Sequence, residues 1–379
     1  MQEIRYFDSA ATTIMSRTAL DVYQQVASTY IGNPSSLHAE GIKAKEKLEQ
    51  AREDLAGILS VPKETLTFTG GASEANAIVF NSLVWRLQKP HVIISNIEHS
   101  SIKEYVRLMK QLGWKVTTLN APGGFIKAED LRGALTKQTR LVSLMLVNNV
   151  VGTIQDIQAL VTEVRAFEKE QGGRRIHFHT DATQALGKIP FSLEALGVDS
   201  AAFSAHKFHG PKGVGFLYNT DPAIESLSRG GGQEAGLRPG TENLPGIVSM
   251  VEAAKEAMEQ FSDHEKQVKQ INTLLRQRLQ SLQAISPVDS CSPYILNIAT
   301  NHLPSEVFTR MLYDKGFCVS SGSACSNNAK QKGEGVLDSM QVPPSLAKSS
   351  IRISFSADTT TEEAEALAEA ITTLIQEHA

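Results

Sequence analysis

Between residues 65 and 219 the chain alternates two hydrophobic rhythms. Short β-rich runs, TLTFT (65–69), HVIIS (91–95), KVTTL (115–119), LVSLMLV (141–147), IHFHT (176–180), SAAFS (200–204) and GVGFLY (213–218), predict strands. Between them, SEANAIVFNSLVWRLQK, SIKEYVRLMKQL, AEDLRGAL and IQALVTEVRAFEKEQ place apolar residues at helical spacing. Strands alternating with helices predict an α/β fold, a mostly parallel seven-stranded sheet with helices on both faces. Only AHKFHGPK joins the last two runs. A parallel crossover needs more chain than that, so this pair is expected to be antiparallel.

Downstream the rhythm changes. GIVSMVEAAKEAMEQFSDHEKQVKQINTLLRQRLQSL reads as one or two long helices with a charged face, and SPVDSCSP breaks the pattern. YILNIAT, SIRISFS and a terminal helix opened by the capping residues of TTTEEAEALAEAITTLIQ then predict a smaller α+β C-terminal domain. The expected division is a 1–14 segment packing on the small domain, a large domain over 15–255, and a linking helix with the small domain over 256–379.

Composition narrows the classes. Apolar content of 41% and charged content of 21% are those of a globular protein. A net charge of −4 supplies no basic stripe for nucleic acid. MQEIRYFDSAATT has neither a basic start nor an apolar core, and no apolar run approaches the roughly 20 residues of a membrane span. The three cysteines are too few and too irregularly spaced for a disulfide framework or a zinc site. The expectation is a reduced, cytoplasmic protein with no nucleic acid or membrane partner.

Candidate chemistry follows the strands. After TLTFT comes GGASEAN, two glycines and then Ser73 opening a helix, a ready phosphate site. His99 follows HVIIS, Asn148 and Asn149 follow LVSLMLV, Asp181 and Gln184 follow IHFHT, and His206 and Lys207 follow SAAFS. Open α/β sheets bind ligands at the carboxyl ends of their strands, and five of the seven strands carry polar residues there. His177, His179 and Asp181 alternate and so share a strand face, which could hold a metal and make a hydrolase. That reading lacks a further histidine pair or carboxylate cluster. Lys207, beside histidines and a GPKG turn, could act as an amine nucleophile toward an aldehyde. A phosphate cradle, an aspartate for a pyridinium nitrogen and a lysine for a Schiff base are the parts a pyridoxal phosphate site requires.

DSAATT, GNPSSLH, TGGASEAN, EHSS, VNNVVGTIQDI, HTDATQALGK, SAHKFHGPKGVGFLY, GGGQEAGLRPGTEN, SSGSACS and SIRISFS occur here in the order found in cysteine desulfurases. The sequence therefore resembles that family, in the class V aminotransferase group of fold-type-I pyridoxal phosphate enzymes, over nearly its whole length. The resemblance implies a homodimer that removes sulfur from L-cysteine, leaving L-alanine and an enzyme persulfide destined for a sulfur-acceptor protein such as an iron–sulfur scaffold. It implies that Lys207 holds pyridoxal 5′-phosphate as a Schiff base and shuttles protons, that Asp181 pairs with the pyridinium nitrogen, and that His99 stacks on the ring. Gln184 and Asn149 are expected at the ring oxygen, and Ala72, Ser73, Ser204 and His206 at the phosphate. Thr241 is expected to reach the partner subunit's phosphate, and Arg352, assisted by Asn33, the substrate carboxylate. Cys325 is the expected sulfur acceptor, on a segment whose small residues Gly322, Ser323 and Ala324 let it bend.

Val150, Ala235 and Pro239 stand where the family more often has glutamate, arginine and serine, and the stretch after Cys325 is also unusual. The alternatives are a selenocysteine lyase or an aminotransferase of the same fold, or a catalytically silent assembly partner. A thiol in the SSGSAC context argues against an aminotransferase, and the set Lys207, Asp181, His99, Arg352 and Cys325 argues against a silent relative.

Overall fold

The computed structural model describes residues 4–84, 90–301, 303–322 and 335–378. Seven strands form the large sheet: β1 (Leu66–Thr69), β2 (His91–Ser95), β3 (Lys115–Leu119), β4 (Thr139–Ser143), β5 (His177–Asp181), β6 (Ser200–Ser204) and β7 (Gly215–Asn219). Their spatial order is β1-β7-β6-β5-β4-β2-β3. β7 runs antiparallel to both neighbours, as its short connection from β6 requires. The other pairings, β6 to β5, β5 to β4, β4 to β2 and β2 to β3, are parallel. Six carboxyl ends therefore open on one side. Between sheet and helices Phe191, Phe203 and Phe216 stack in sequence, with ring centroids 6.0 and 4.5 Å apart. Burying each such ring stabilises the layer by roughly 1.5–3 kcal/mol.

The run 141–147 is not one regular strand. β4 begins earlier, at Thr139, and ends at Ser143. Beyond it Leu144 N and Leu146 N still bond His179 O and Asp181 O of β5, at 3.1 and 3.0 Å. Met145 N turns instead to the side chain of Glu98, at 3.0 Å. A side-chain acceptor has replaced a ladder partner, and the strand bends there.

The long downstream segment is two helices, Leu244–Glu259 and Phe261–Arg278, hinged at Gln260. The first buries Ile247, Met250 and Ala254 in the core of the large sheet. The second buries Val268, Ile271 and Leu275 in a separate core with Phe7, Leu296, Phe308, Ile353 and Leu367. That second core lies on a small sheet in which β8 (Ile295–Ala299) and β9 (Ser320–Ser321) flank β10 (Ser350–Ser354), all antiparallel. The N-terminal residues reach it: Arg5–Tyr6 pair in parallel with Phe317–Cys318, and Asp8 bridges Ser354. The terminal helix, Thr361–Glu377, starts with the predicted reciprocal cap, Glu363 N on Thr360 Oγ1 at 3.1 Å and Thr360 N on Glu363 Oε2 at 2.9 Å.

Candidate active site

The carboxyl ends of the large sheet enclose a cavity of about 540 Å³. Nine of the residues singled out in the sequence line it: Ala72 and Ser73 after β1, His99 after β2, Asn149 after β4, Asp181 and Gln184 from β5 onward, and Ser204, His206 and Lys207 at the end of β6. Asn33, Thr241 and Arg352 do not line it. Cys325 lies outside the described residues.

At the β1 end, Gly70 and Gly71 turn the chain into the helix Ala72–Val84. Gly71 has φ of +137°, and a Cβ added there would lie 3.3 Å from Ser204 Oγ. The turn needs glycine, because an L side chain rarely adopts that backbone and would press on the β6 end. The first N–H groups of the helix, with the hydroxyls of Ser73 and Ser204, make a strong anion pole. Lys212 also lines this cavity. Burial, with Lys207, Lys188 and Lys212 nearby, pushes His206 down to about 4, so its ring is neutral at physiological pH; its Nδ1 sits 3.1 Å from Thr12 Oγ1.

Asp181 is aimed by a residue that sequence reasoning missed. Asn76, fully buried one turn into the helix Ala72–Val84, donates from Nδ2 to Asp181 Oδ2 and to Ser101 Oγ, both at 3.0 Å. A carboxylate accepts only, so Asn76 must present its nitrogen there and its oxygen to His179 Nε2, at 2.8 Å. His179 Nδ1 then accepts from Ser200 Oγ at 2.7 Å. Burial, then His177, pushes His179 down to about 3, which keeps that ring neutral. The other arm fixes His99: Ser101 N approaches its Nδ1 at 3.2 Å and Ser101 Oγ at 2.9 Å. Neutral His99 therefore carries its proton on Nε2, and burial is the largest cause holding its pKa below the usual imidazole value. The signal for Asn76 was its place in TGGASEAN, but its role depends on contacts to β5 and the helix Ser100–Gln111. His177 and His179, considered as metal ligands, both bond Ser200, and His177 Nδ1 lies 2.8 Å from Asp221 Oδ2.

Lys207 sits in a short turn, Ala205–Lys207, directly after β6. Its Nζ donates to Ala10 O and Ala11 O, each at 2.7 Å, so the N-terminal DSAATT stretch forms one wall of the site. Gln184 Nε2 donates to the same Ala10 O at 2.8 Å.

Arg352, buried on β10, donates to Asn149 O at 3.0 Å, Asp8 Oδ1 at 2.7 Å and Ser320 Oγ at 3.0 Å. Its buried Nε has no hydrogen-bond partner among the described residues. Asn33 is brought to Thr241 rather than to Arg352, with Nδ2 to Oγ1 at 3.4 Å on an exposed surface. Of the other cysteines, burial pushes the Cys291 thiol up to about 11, and burial followed by Asp8 raises that of Cys318. Both shifts disfavour the thiolate, the reactive form of cysteine.

Known proteins resemble this chain over nearly its whole length. The aminotransferase class-V family model matches residues 5–367. A NifS/IcsS protein homolog from Lactobacillus delbrueckii subsp. bulgaricus is 37% identical over 369 residues, covering 95% of this chain and 94% of the relative. Cysteine desulfurase IscS of Dictyoglomus turgidum is 34% identical, over 94% of this chain and 91% of its own length. A solved NifS-like protein superposes with a TM-score of 0.92 at 34% identity, covering 99% of this chain and all of that one. The chain belongs to the aminotransferase class-V family, in its cysteine desulfurase group.

Proposed function

We propose that the protein removes sulfur from L-cysteine with pyridoxal 5′-phosphate, giving L-alanine and a persulfide on Cys325. The observation that carries this reading is the meeting of Lys207, Asp181, His99 and the glycine-headed helix in one cavity. The donor set fits the cofactor: a turn that a Cβ would obstruct, helix N–H groups and hydroxyls for a phosphate, a buried carboxylate for a pyridinium, and an amine for an aldehyde. When bound, the cofactor supplies an electron sink for bonds at the substrate's carbon atoms.

The chain's own residues do the rest. Lys207 anchors the aldehyde carbon and carries protons, while Asp181, aimed by Asn76, holds a proton at the ring nitrogen. His99 offers a flat neutral ring with Nε2–H, and Gln184 and Asn149 serve the ring oxygen. Ala72, Ser73, Ser204 and His206 hold the phosphate. Arg352, whose Nε has no partner among the described residues, takes the substrate carboxylate with help from Asn33. The Cys325 thiolate attacks the substrate sulfur; the carbon–sulfur bond breaks and its electron pair stays with carbon, which takes a proton. The sulfur ends inserted between Cys325 and its hydrogen, so cysteine and thiol become alanine and persulfide with no outside oxidant or reductant. Gly322, three residues before Cys325 in the sequence, follows β9, whose Ser320 pairs with Arg352 of β10.

A homodimer is part of the reading. Ile31 and Leu37, which flank Asn33 of the Asn33–Thr241 pair in the sequence, are exposed to 79% and 94%, an apolar set suited to a second copy that brings Thr241 to the partner's phosphate. The persulfide is passed to an acceptor protein, such as an iron–sulfur scaffold, in the cytoplasm. The test is incubation with L-cysteine under reducing conditions. The parent chain is expected to form alanine and sulfide in equal amounts. Cys325→Ser should keep its cofactor absorption but form neither the persulfide nor, in step, the two products. Wild-type turnover by the serine variant would refute the assignment.

A further inference from the structure

Lys188 stands four residues beyond Gln184 in a run of tight turns, and its Nζ donates to Gln184 Oε1 at 2.8 Å. The other arm of the same amide, Nε2, donates to Ala10 O at 2.8 Å. An amide flip would put nitrogen against the Lys188 donor and oxygen against the carbonyl of Ala10, and neither pairing bonds well. The two partners therefore permit one orientation. Lys188 itself is buried, 6% exposed, and does not line the cavity that holds Gln184 and Lys207. It lines a second, smaller cavity behind Lys207. Its Nζ lies 6.0 Å from the Tyr294 ring centroid, and its one side-chain hydrogen bond among the described residues goes to Gln184. Burying an amine is costly: burial, then Lys207 and Arg352, pushes Lys188 down to about 7. A methionine would fill the same volume without that cost, so packing alone does not account for a lysine.

We propose that Lys188 is a positioning residue that acts through Gln184, locking the amide with Nε2 toward the cavity so that its second N–H serves the ring oxygen of the cofactor. The inference rests on the reading of the cavity given above. Ala10 O closes the arrangement, since it accepts from Gln184 and from Lys207 and so registers the donor against the reactive amine.

A double-mutant cycle in the full-length protein tests it, reading the pyridoxal phosphate dissociation constant and the visible absorption maximum. Gln184→Ala and Lys188→Met are each expected to weaken retention about fivefold and to move the absorption maximum the same way. The double variant should be no worse than Gln184→Ala, because Lys188 has nothing left to orient. Independent losses that multiply to about 25-fold would overturn the inference. Should Lys188→Met fail to fold, Lys188→Arg, which keeps a donor, is expected to retain the parent's absorption maximum; a shift matching that of Gln184→Ala would overturn it. A parent chain that takes up no pyridoxal phosphate would overturn the cavity reading itself, a result distinct from additive losses.

Discussion

Glu98, one residue before His99, is fully buried, and its Oε1 accepts from Ser95 Oγ and Met145 N. Its Oε2 is without a partner among the described residues, and burial pushes the carboxyl up to about 8. At neutral pH it is mostly protonated. A carboxyl with a folded pKa above its unfolded 4.5 binds more protons in the folded state, so its contribution to stability falls as pH rises from about 5 to 8. Over that window the loss is about 3 kcal/mol. Glu98→Gln keeps the shape and cannot titrate, so its urea midpoint should change less than the parent's between pH 5 and pH 8. Parallel declines in the two proteins would show that Glu98 is not the source.

At the scale of elements, the residues on both flanks of the Cys325 segment are well packed. Ahead of it, Gly322 follows β9, and its N bonds Ser350 O at 2.7 Å. A Cβ at Gly322 would lie 1.8 Å from Ser350 Oγ, so only glycine permits this approach. After it, Leu337 and Met340 are buried in the core of the large sheet, and Ser339 Oγ bonds Asn96 O at 3.1 Å. Gly322→Ala should push β9 off β10 and misaim the segment while leaving the strand-end cavity intact. Cysteine turnover is expected to drop about tenfold or more with cofactor content unchanged; undiminished turnover would contradict this anchoring. A second element, the loop bearing Thr241, is strapped to the helix Ala39–Leu59 by the buried bidentate pair Arg52–Glu234, at 2.9 and 2.8 Å, and to the sheet edge by Phe68 N, which donates to Glu234 Oε2 at 2.7 Å. Glu234 and Ala235 both adopt left-handed backbone there, with φ of 51° and 54°. Ala235→Gly should raise stability by about 1 kcal/mol, read as a higher midpoint in urea. An unchanged or lower midpoint would mean that the backbone carries no such strain.

At the scale of the molecule, the exposed apolar residues and the Asn33–Thr241 surface bear on whether two chains build each site. Chains inactivated separately by Lys207→Ala and Thr241→Val should regain part of their turnover when mixed as heterodimers. Heterodimers that form without rescue would contradict a shared site. The sheet was legible in the sequence because most of its strands are buried apolar runs punctuated by polar ends, and those ends supplied nine of the residues that line the cavity. What escaped depends on distant partners: the bend after Ser143 is made by Glu98, and Asn76 matters because of Asp181 and Ser101. The Asp8–Arg352 pair joins residues 344 positions apart. Periodicity carries no record of such meetings. The most direct measurement of the cavity's chemistry is borohydride reduction of the purified protein followed by peptide mapping. One pyridoxyl label per chain on Lys207 is expected; a label on Lys212, which lines the same cavity, or on Lys188, or none at all, would contradict the assignment.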